Sequence, residues 1–168
     1  MGNLHSPYVD FSSSLFDKGT KERFVDWIMG CNMSFRLDIV LEAGGFREAL
    51  GRAHGKLMSL EDIDLAGRVR SMGYSLLYTP KAVVYHKVWM ERLTLLYQLR
   101  RSYWNGVSTE LMSPTRITAR RIAKLFHLSI MLFSGKRLDR LEGLAYELGR
   151  MGESLSFSLQ FTRCRTRN

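Results

Sequence analysis

The sequence predicts an α/β layer that gives way, just after His86, to an all-helical region. Three observations carry this. Short apolar runs at Phe24 to Met29, Tyr74 to Tyr78 and Ala82 to His86 have strand length and are punctuated by Gly30, Gly73 and Pro80. Between them, Arg36 to Ala43 and Leu60 to Met72 space their apolar residues as helices do. From Glu91 onward the 3.6-residue period takes over. With 168 residues, 45% of them hydrophobic, the chain can bury a real core, and only 3 prolines with 11% aromatics argue against disorder.

Met1 to Lys21, rich in Ser, Gly and Asp, reads as a lead-in loop. Phe24 to Met29 reads as a strand or a buried segment that feeds Gly30. The helix at Arg36 to Ala43 is expected to place Leu37, Val40 and Leu41 on one face, with Gly44 making the left-handed C-terminal turn and Phe46 packing back. Arg47 to Ser59, with Gly51, His54 and Gly55, is expected to be a mobile loop. Ser59, three residues before Asp62, marks the next helix start, its hydroxyl capping free backbone N–H groups. That helix should turn Leu65, Val69 and Met72 inward and leave an Asp64/Arg68 pair outside. Two short strands follow, separated by Thr79-Pro80-Lys81.

In the helical region, Leu93, Leu96, Tyr97, Arg100 and Trp104 form a stripe. Pro114 and Thr115 should open a second helix reaching Phe133, Gly135 should break it, and Arg137 to Met151 should form a third. Ser154 to Asn168 reads as a frayed polar tail. The expected organisation is therefore a lead-in at 1–23, a site-bearing part at 24–90, a helical region at 91–152 and a basic tail at 153–168.

Charge is distributed unevenly. Residues 1–86 balance 10 basic against 10 acidic side chains, whereas residues 87–168 hold 15 basic and 6 acidic, which accounts for the whole net charge of +9. Such asymmetry suggests an acidic partner for the second half. Cys31 and Cys164 match no metal or redox spacing and read as free thiols. No stretch reaches the roughly 18 apolar residues of a membrane span, and no export signal is evident at Met1 to Ser14. The expected location is the cytoplasm, with the basic helices able to lie on the inner face of an anionic membrane.

The most informative feature is Glu61-Asp62 in its setting. Gly30-Cys31-Asn32-Met33-Ser34-Phe35-Arg36 comes first, then Gly44-Gly45-Phe46, then Ser59-Leu60-Glu61-Asp62-Ile63-Asp64-Leu65, then Gly73-Tyr74. This order resembles the second half of the catalytic domain of family 2 glycosyltransferases, inverting sugar-nucleotide enzymes with the GT-A fold. The resemblance runs from about Trp27 to His86 and more loosely to Gly152. It implies a partial GT-A domain that lacks its nucleotide-binding half, and transfer of a sugar from a nucleotide-sugar donor to a glycan or lipid-linked acceptor.

Inverting transfer needs a base that takes the acceptor hydroxyl proton as the oxygen attacks. The resemblance gives that role to Asp62, with Glu61 orienting the loop or binding an acceptor hydroxyl. It places Gly30, Asn32 and Arg36 along the sugars. Trp104 is a candidate stacking platform, and equally a packing residue. His86 ends the second expected strand, where some members place a third ligand to a catalytic Mn²⁺ or Mg²⁺; imidazole suits manganese better than magnesium.

Two departures from the family pattern matter. Nothing before Trp27 supplies the Asp-x-Asp that holds metal and diphosphate. Asp62-Ile63-Asp64 cannot substitute, since residues two apart on a helix point about 200° from each other. By this reading the chain is the acceptor-side half of a glycosyltransferase, as a truncated piece, a split gene product whose nucleotide-binding half comes from another chain, or a degraded copy. Alone it is expected to bind donor and metal weakly. In Gln98-Leu99-Arg100-Arg101-Ser102-Tyr103-Trp104 the tryptophan is displaced from the Gln-x-x-Arg-Trp of processive synthases, so a non-processive enzyme is expected. The alternatives are a non-catalytic partner subunit of this fold, or a basic helical nucleic-acid binder built on Arg100, Arg101, Arg116, Arg120, Arg121 and Lys124. The second lacks any recognised binding motif.

Overall fold

The computed structural model describes residues 16–52, 55–115, 117–130 and 137–165. The lead-in before Phe16, His54, Arg116, the expected helix end at Phe133, the Gly135 break and residues 166–168 lie outside them. The chain divides into two compact units. One comprises the described residues up to Gly51 together with Leu60–Trp89; the other joins Arg52–Ser59 to everything from Met90.

In the first unit, β1 (Arg23–Val25) pairs antiparallel with β2 (Leu76–Tyr78) in the register Arg23↔Tyr78, Phe24↔Leu77, Val25↔Leu76. Helices α1 (Leu37–Glu42) and α2 (Glu61–Ser71) complete it. Ile39, Leu65, Ala66, Val69 and Leu76 form the core, with Val25, Ile28, Phe35, Val40 and Ala43 packed against it. Before β1, Phe16 sits edge-on to Trp27 at 4.7 Å and to Tyr78 at 6.0 Å, so this part of the expected lead-in packs on the unit.

Several expectations are corrected. The inward face of α1 is Ile39, Val40 and Ala43, while Leu37 and Leu41 are exposed. Both Gly44 (φ 81°) and Gly45 (φ 69°) take the left-handed conformation, and their N–H groups return to the Leu41 and Val40 carbonyls. The segment Ala82 to His86 is not a strand: among the described residues the sheet has two strands, β1 and β2, the Ala82 carbonyl accepts from the Asn32 side chain instead of a ladder, and Val83, Val84 and Tyr85 stay exposed. The expected mobile loop is partly fixed: Glu48–Leu50 forms a 3-10 turn with Leu50 fully buried, and Met58 and Ser59 are buried.

The second unit contains a 3-10 turn at Met90–Leu93 and helices α3 (Leu95–Met112), α4 (Ala119–Ile130) and α5 (Arg137–Arg165). Thr94 caps α3, its Oγ1 accepting from Tyr97 N–H at 3.3 Å. The buried face of α3 is Ser102, Gly106, Val107, Ser108 and Glu110, not the expected stripe, whose Leu93 and Leu96 are exposed. Small residues win because α3 and α5 cross at contact distance. A Cβ on Gly106 would collide with the Tyr146 carbonyl, and one on Gly149 with the Tyr103 carbonyl.

Glu110 is the polar centre of this unit. Its Oε1 accepts from Thr115 N–H (2.6 Å) and Ser154 Oγ–H (2.8 Å); its Oε2 accepts from Arg150 Nε (3.1 Å) and Arg121 Nη2 (3.3 Å). This hub moves two expected boundaries. Thr115 turns back to Glu110 instead of opening a helix, so α4 starts at Ala119 behind Thr118, whose Oγ1 accepts from Arg121 N–H. Ser154 is buried on the hub, so α5 continues past Met151 to Arg165 where a frayed tail was expected. No helix among the described residues is long and apolar enough to cross a membrane.

Candidate active site

Helix α2 begins with Glu61 and Asp62, where free backbone N–H groups and the positive end of the helix dipole favour carboxylates. The cap is not the expected one. Leu60 precedes the helix in the left-handed conformation (φ 78°) without a side-chain capping bond. The Ser59 hydroxyl donates instead to Asn105 Oδ1 at 2.5 Å, and its N–H donates to Ser108 Oγ at 3.0 Å. A bulky residue at positive φ is uncommon and costs roughly 1–3 kcal/mol, so surrounding contacts must enforce this turn.

Asp62 is held by the backbone. Its Oδ2 accepts from Gly30 N–H at 2.7 Å, and its Oδ1 from Ile63 N–H at 2.9 Å. A side chain on Gly30 would push this carboxylate out of place, because a Cβ would lie 2.7 Å from that same Oδ2. In the same turn, Asn32 N–H donates to the Met29 carbonyl (3.0 Å) and Asn32 Nδ2 donates to the Ala82 carbonyl (2.7 Å). One turn, 29–32, therefore joins the start of α2 to the segment after β2. The Glu61 Oε2, on the residue neighbouring Asp62, is buried with no hydrogen-bond partner among the described residues.

Gly30, Asn32 and Asp62 are thus brought together, with Glu61 adjoining Asp62 in the chain. Arg36 is not bonded to them: it pairs with Asp38 at 2.5 Å, and both side chains are exposed. The hydrogen bond from Arg36 holds the Asp38 carboxyl below its ordinary value. Trp104 belongs to the helical unit, edge-on to Tyr103 with the Lys56 ammonium 5.8 Å from its ring centre. His86 is half-buried, its Nδ1 without a partner among the described residues. No three His, Cys, Asp or Glu side chains gather as metal ligands among the described residues.

Sequence reasoning missed the brace beneath the site. Asp64, expected outside, is buried and accepts from Arg68 (Nη2 at 2.9 Å) and Arg47 (Nη2 at 3.3 Å). Arg68 also donates to the carbonyls of Ala43 and Gly45, the latter at 2.6 Å. The signal was there: the Gly44-Gly45 turn leaves carbonyls at a helix end, which a guanidinium suits. The basic residues of α3 and α4 are partly used internally, Arg101 on the Leu57 carbonyl and Arg121 on Glu110.

No family model matches the chain, and no solved structure matches it significantly. Over 84 residues it is 31% identical to the glucosyl-dolichyl phosphate glucuronosyltransferase of Haloferax volcanii, a stretch covering 49% of this chain. That stretch spans 27% of the relative's length. Over about half its length, then, the chain is similar to a glycosyltransferase.

Proposed function

We propose that this chain is the acceptor-side half of an inverting glycosyltransferase of family 2, with a partial GT-A-type domain, acting from a nucleotide-sugar donor onto a glycan or lipid-linked acceptor. One observation carries the reading: Asp62 stands at the start of α2 with both carboxylate oxygens aimed by the N–H groups of Gly30 and Ile63. The similarity to a glucuronosyltransferase supports it, and the dolichyl phosphate in that relative's name supports a lipid-linked acceptor.

Asp62 takes the proton of the acceptor hydroxyl as its oxygen attacks the anomeric carbon, and the nucleotide leaves from the opposite face. The Gly30 turn fixes the carboxylate so that little reorganisation precedes reaction. In this reading Glu61 orients the loop or binds an acceptor hydroxyl, and Asn32 lies along the sugars.

A nucleotide-binding half completes the enzyme and supplies the metal ligands. Unpartnered apolar surface on the first unit supports this: Phe24 and Leu77, cross-strand neighbours, are 75% and 55% exposed, and a two-stranded sheet is marginal alone. In the completed enzyme, Asp62→Asn is expected to keep donor binding but lower turnover by about 10²-fold or more, and Glu61→Gln to cost less. Near-normal transfer by Asp62→Asn would remove the base assignment. Calorimetry on this chain alone should find weak binding of UDP- and GDP-sugars; micromolar, Mn²⁺-dependent binding would contradict the half-domain reading.

A further inference from the structure

Among the described residues, helix α4 is attached by one face. Arg121 reaches Glu110 and Ser154, Lys124 bonds Glu147 at 2.6 Å, and Leu128 lies against Gly143 of α5. The opposite face carries Ala119, Ile122, Ala123 and Phe126, spaced at i, i+3, i+4 and i+7. All four are exposed, Ile122 at 54% and Phe126 at 70%. Beside this stripe run Arg120 and His127, also exposed. An apolar stripe with a basic border is the pattern of a helix that lies in a lipid–water interface.

We propose that this outward face of α4 seats the protein on an anionic phospholipid surface, with Phe126 and Ile122 entering the acyl boundary and Arg120 meeting the headgroups. Charge selects this occupant. The half of the chain that includes α4 holds the whole +9, whereas the exposed apolar residues of the first unit lie in a charge-balanced stretch. A second copy would bring like charge to like. A 12-residue helix is about 18 Å long. Its one face, about 10 Å wide, offers under a quarter of the roughly 800 Å² per partner that a stable protein interface uses. The proposal does not depend on the sugar-transfer reading.

Co-sedimentation of the purified chain with phosphatidylcholine vesicles, with and without phosphatidylglycerol, tests it. Binding is expected to the anionic vesicles at low salt, weaker at high salt, and little to the neutral ones. Ile122→Ser with Phe126→Ser should lower partitioning by roughly tenfold or more. Arg120→Gln should lower it by about fivefold. Phe126→Leu, which keeps an apolar side chain, should bind nearly as wild type. Circular dichroism checks that the variants fold, as substitutions at exposed positions should. Equal binding by wild type and the double-serine variant would overturn the proposal, since charge alone would then act. Absence of binding to anionic vesicles would also overturn it, as would a dimer that the double-serine variant dissociates and that does not bind vesicles.

Discussion

Glu110→Ala is expected to destabilise the helical unit by about 3–5 kcal/mol, enough to unfold many domains of this size. Glu110 is fully buried, and it is the anion on which Arg121 and Arg150, themselves largely buried, converge. Removing it leaves two guanidinium groups without their counter-charge and strands the Thr115 N–H and Ser154 hydroxyl. Glu110→Gln keeps an acceptor for Thr115 and should cost less. Urea unfolding followed by helical circular dichroism reads both. A loss below 1 kcal/mol for Glu110→Ala would mean the hub does not hold the unit together.

The same carboxylate sets an acid limit. Burial alone would raise its pKa, but the bonds from Thr115 and Ser154 and the Arg121 charge outweigh burial and hold it below the ordinary value of 4.5. A group whose folded pKa is depressed stabilises the fold fully above its unfolded value and loses that contribution as pH falls through the folded one. Stability should therefore begin to fall below about pH 4.5, and Glu110→Gln should flatten that part of the profile. Glu142 opposes this: burial, then the Asp139 charge, raises its carboxyl, so mild acidification relieves it.

Gly106→Ala is expected to cost about 3 kcal/mol, the upper part of the overpacking range, because the new methyl meets the Tyr146 carbonyl, part of a helix backbone that cannot swing aside. Gly149→Ala should cost a similar amount against the Tyr103 carbonyl. The two should not add: once α3 and α5 have moved apart for one methyl, the second finds space. Gly67→Ala is the contrast. It sits in α2 with nothing within 4 Å of its would-be Cβ, so it should stabilise by about 1 kcal/mol through helix propensity. Thermal melts of the four variants check the set. Gly106→Ala melting with the wild type would show that the helices do not touch there.

What the sequence revealed was mostly local. Gly44 announced the end of α1, and the period change after His86 announced the helices. Elements that depend on partners were misread. Ala82 to His86 has strand composition, yet a strand exists only where another backbone pairs with it. The stripe through Leu93 and Leu96 has core composition, but the α3–α5 contact includes Gly106 and Gly149, where the lack of a side chain is what lets the helices approach. At the candidate site, Asp62 and Gly30 were both identified from the sequence, while the bond between them was not. It spans 32 positions, and no local pattern encodes it. Ser59 was misassigned because a capping motif assumes the following residue is helical, and Leu60 is left-handed.

Arg68 has a consequence for how the first unit melts. Helix α1 has only 6 residues, too few to hold itself together in water, so its winding is borrowed from its neighbours. The lender is a single guanidinium on α2 that grips the Ala43 and Gly45 carbonyls while anchored to Asp64. The end of α1 therefore cannot fray without releasing that grip. The two helices open as one cooperative block, and the Gly30–Asp62 turn, rooted at the start of α2, keeps its shape for as long as the block does.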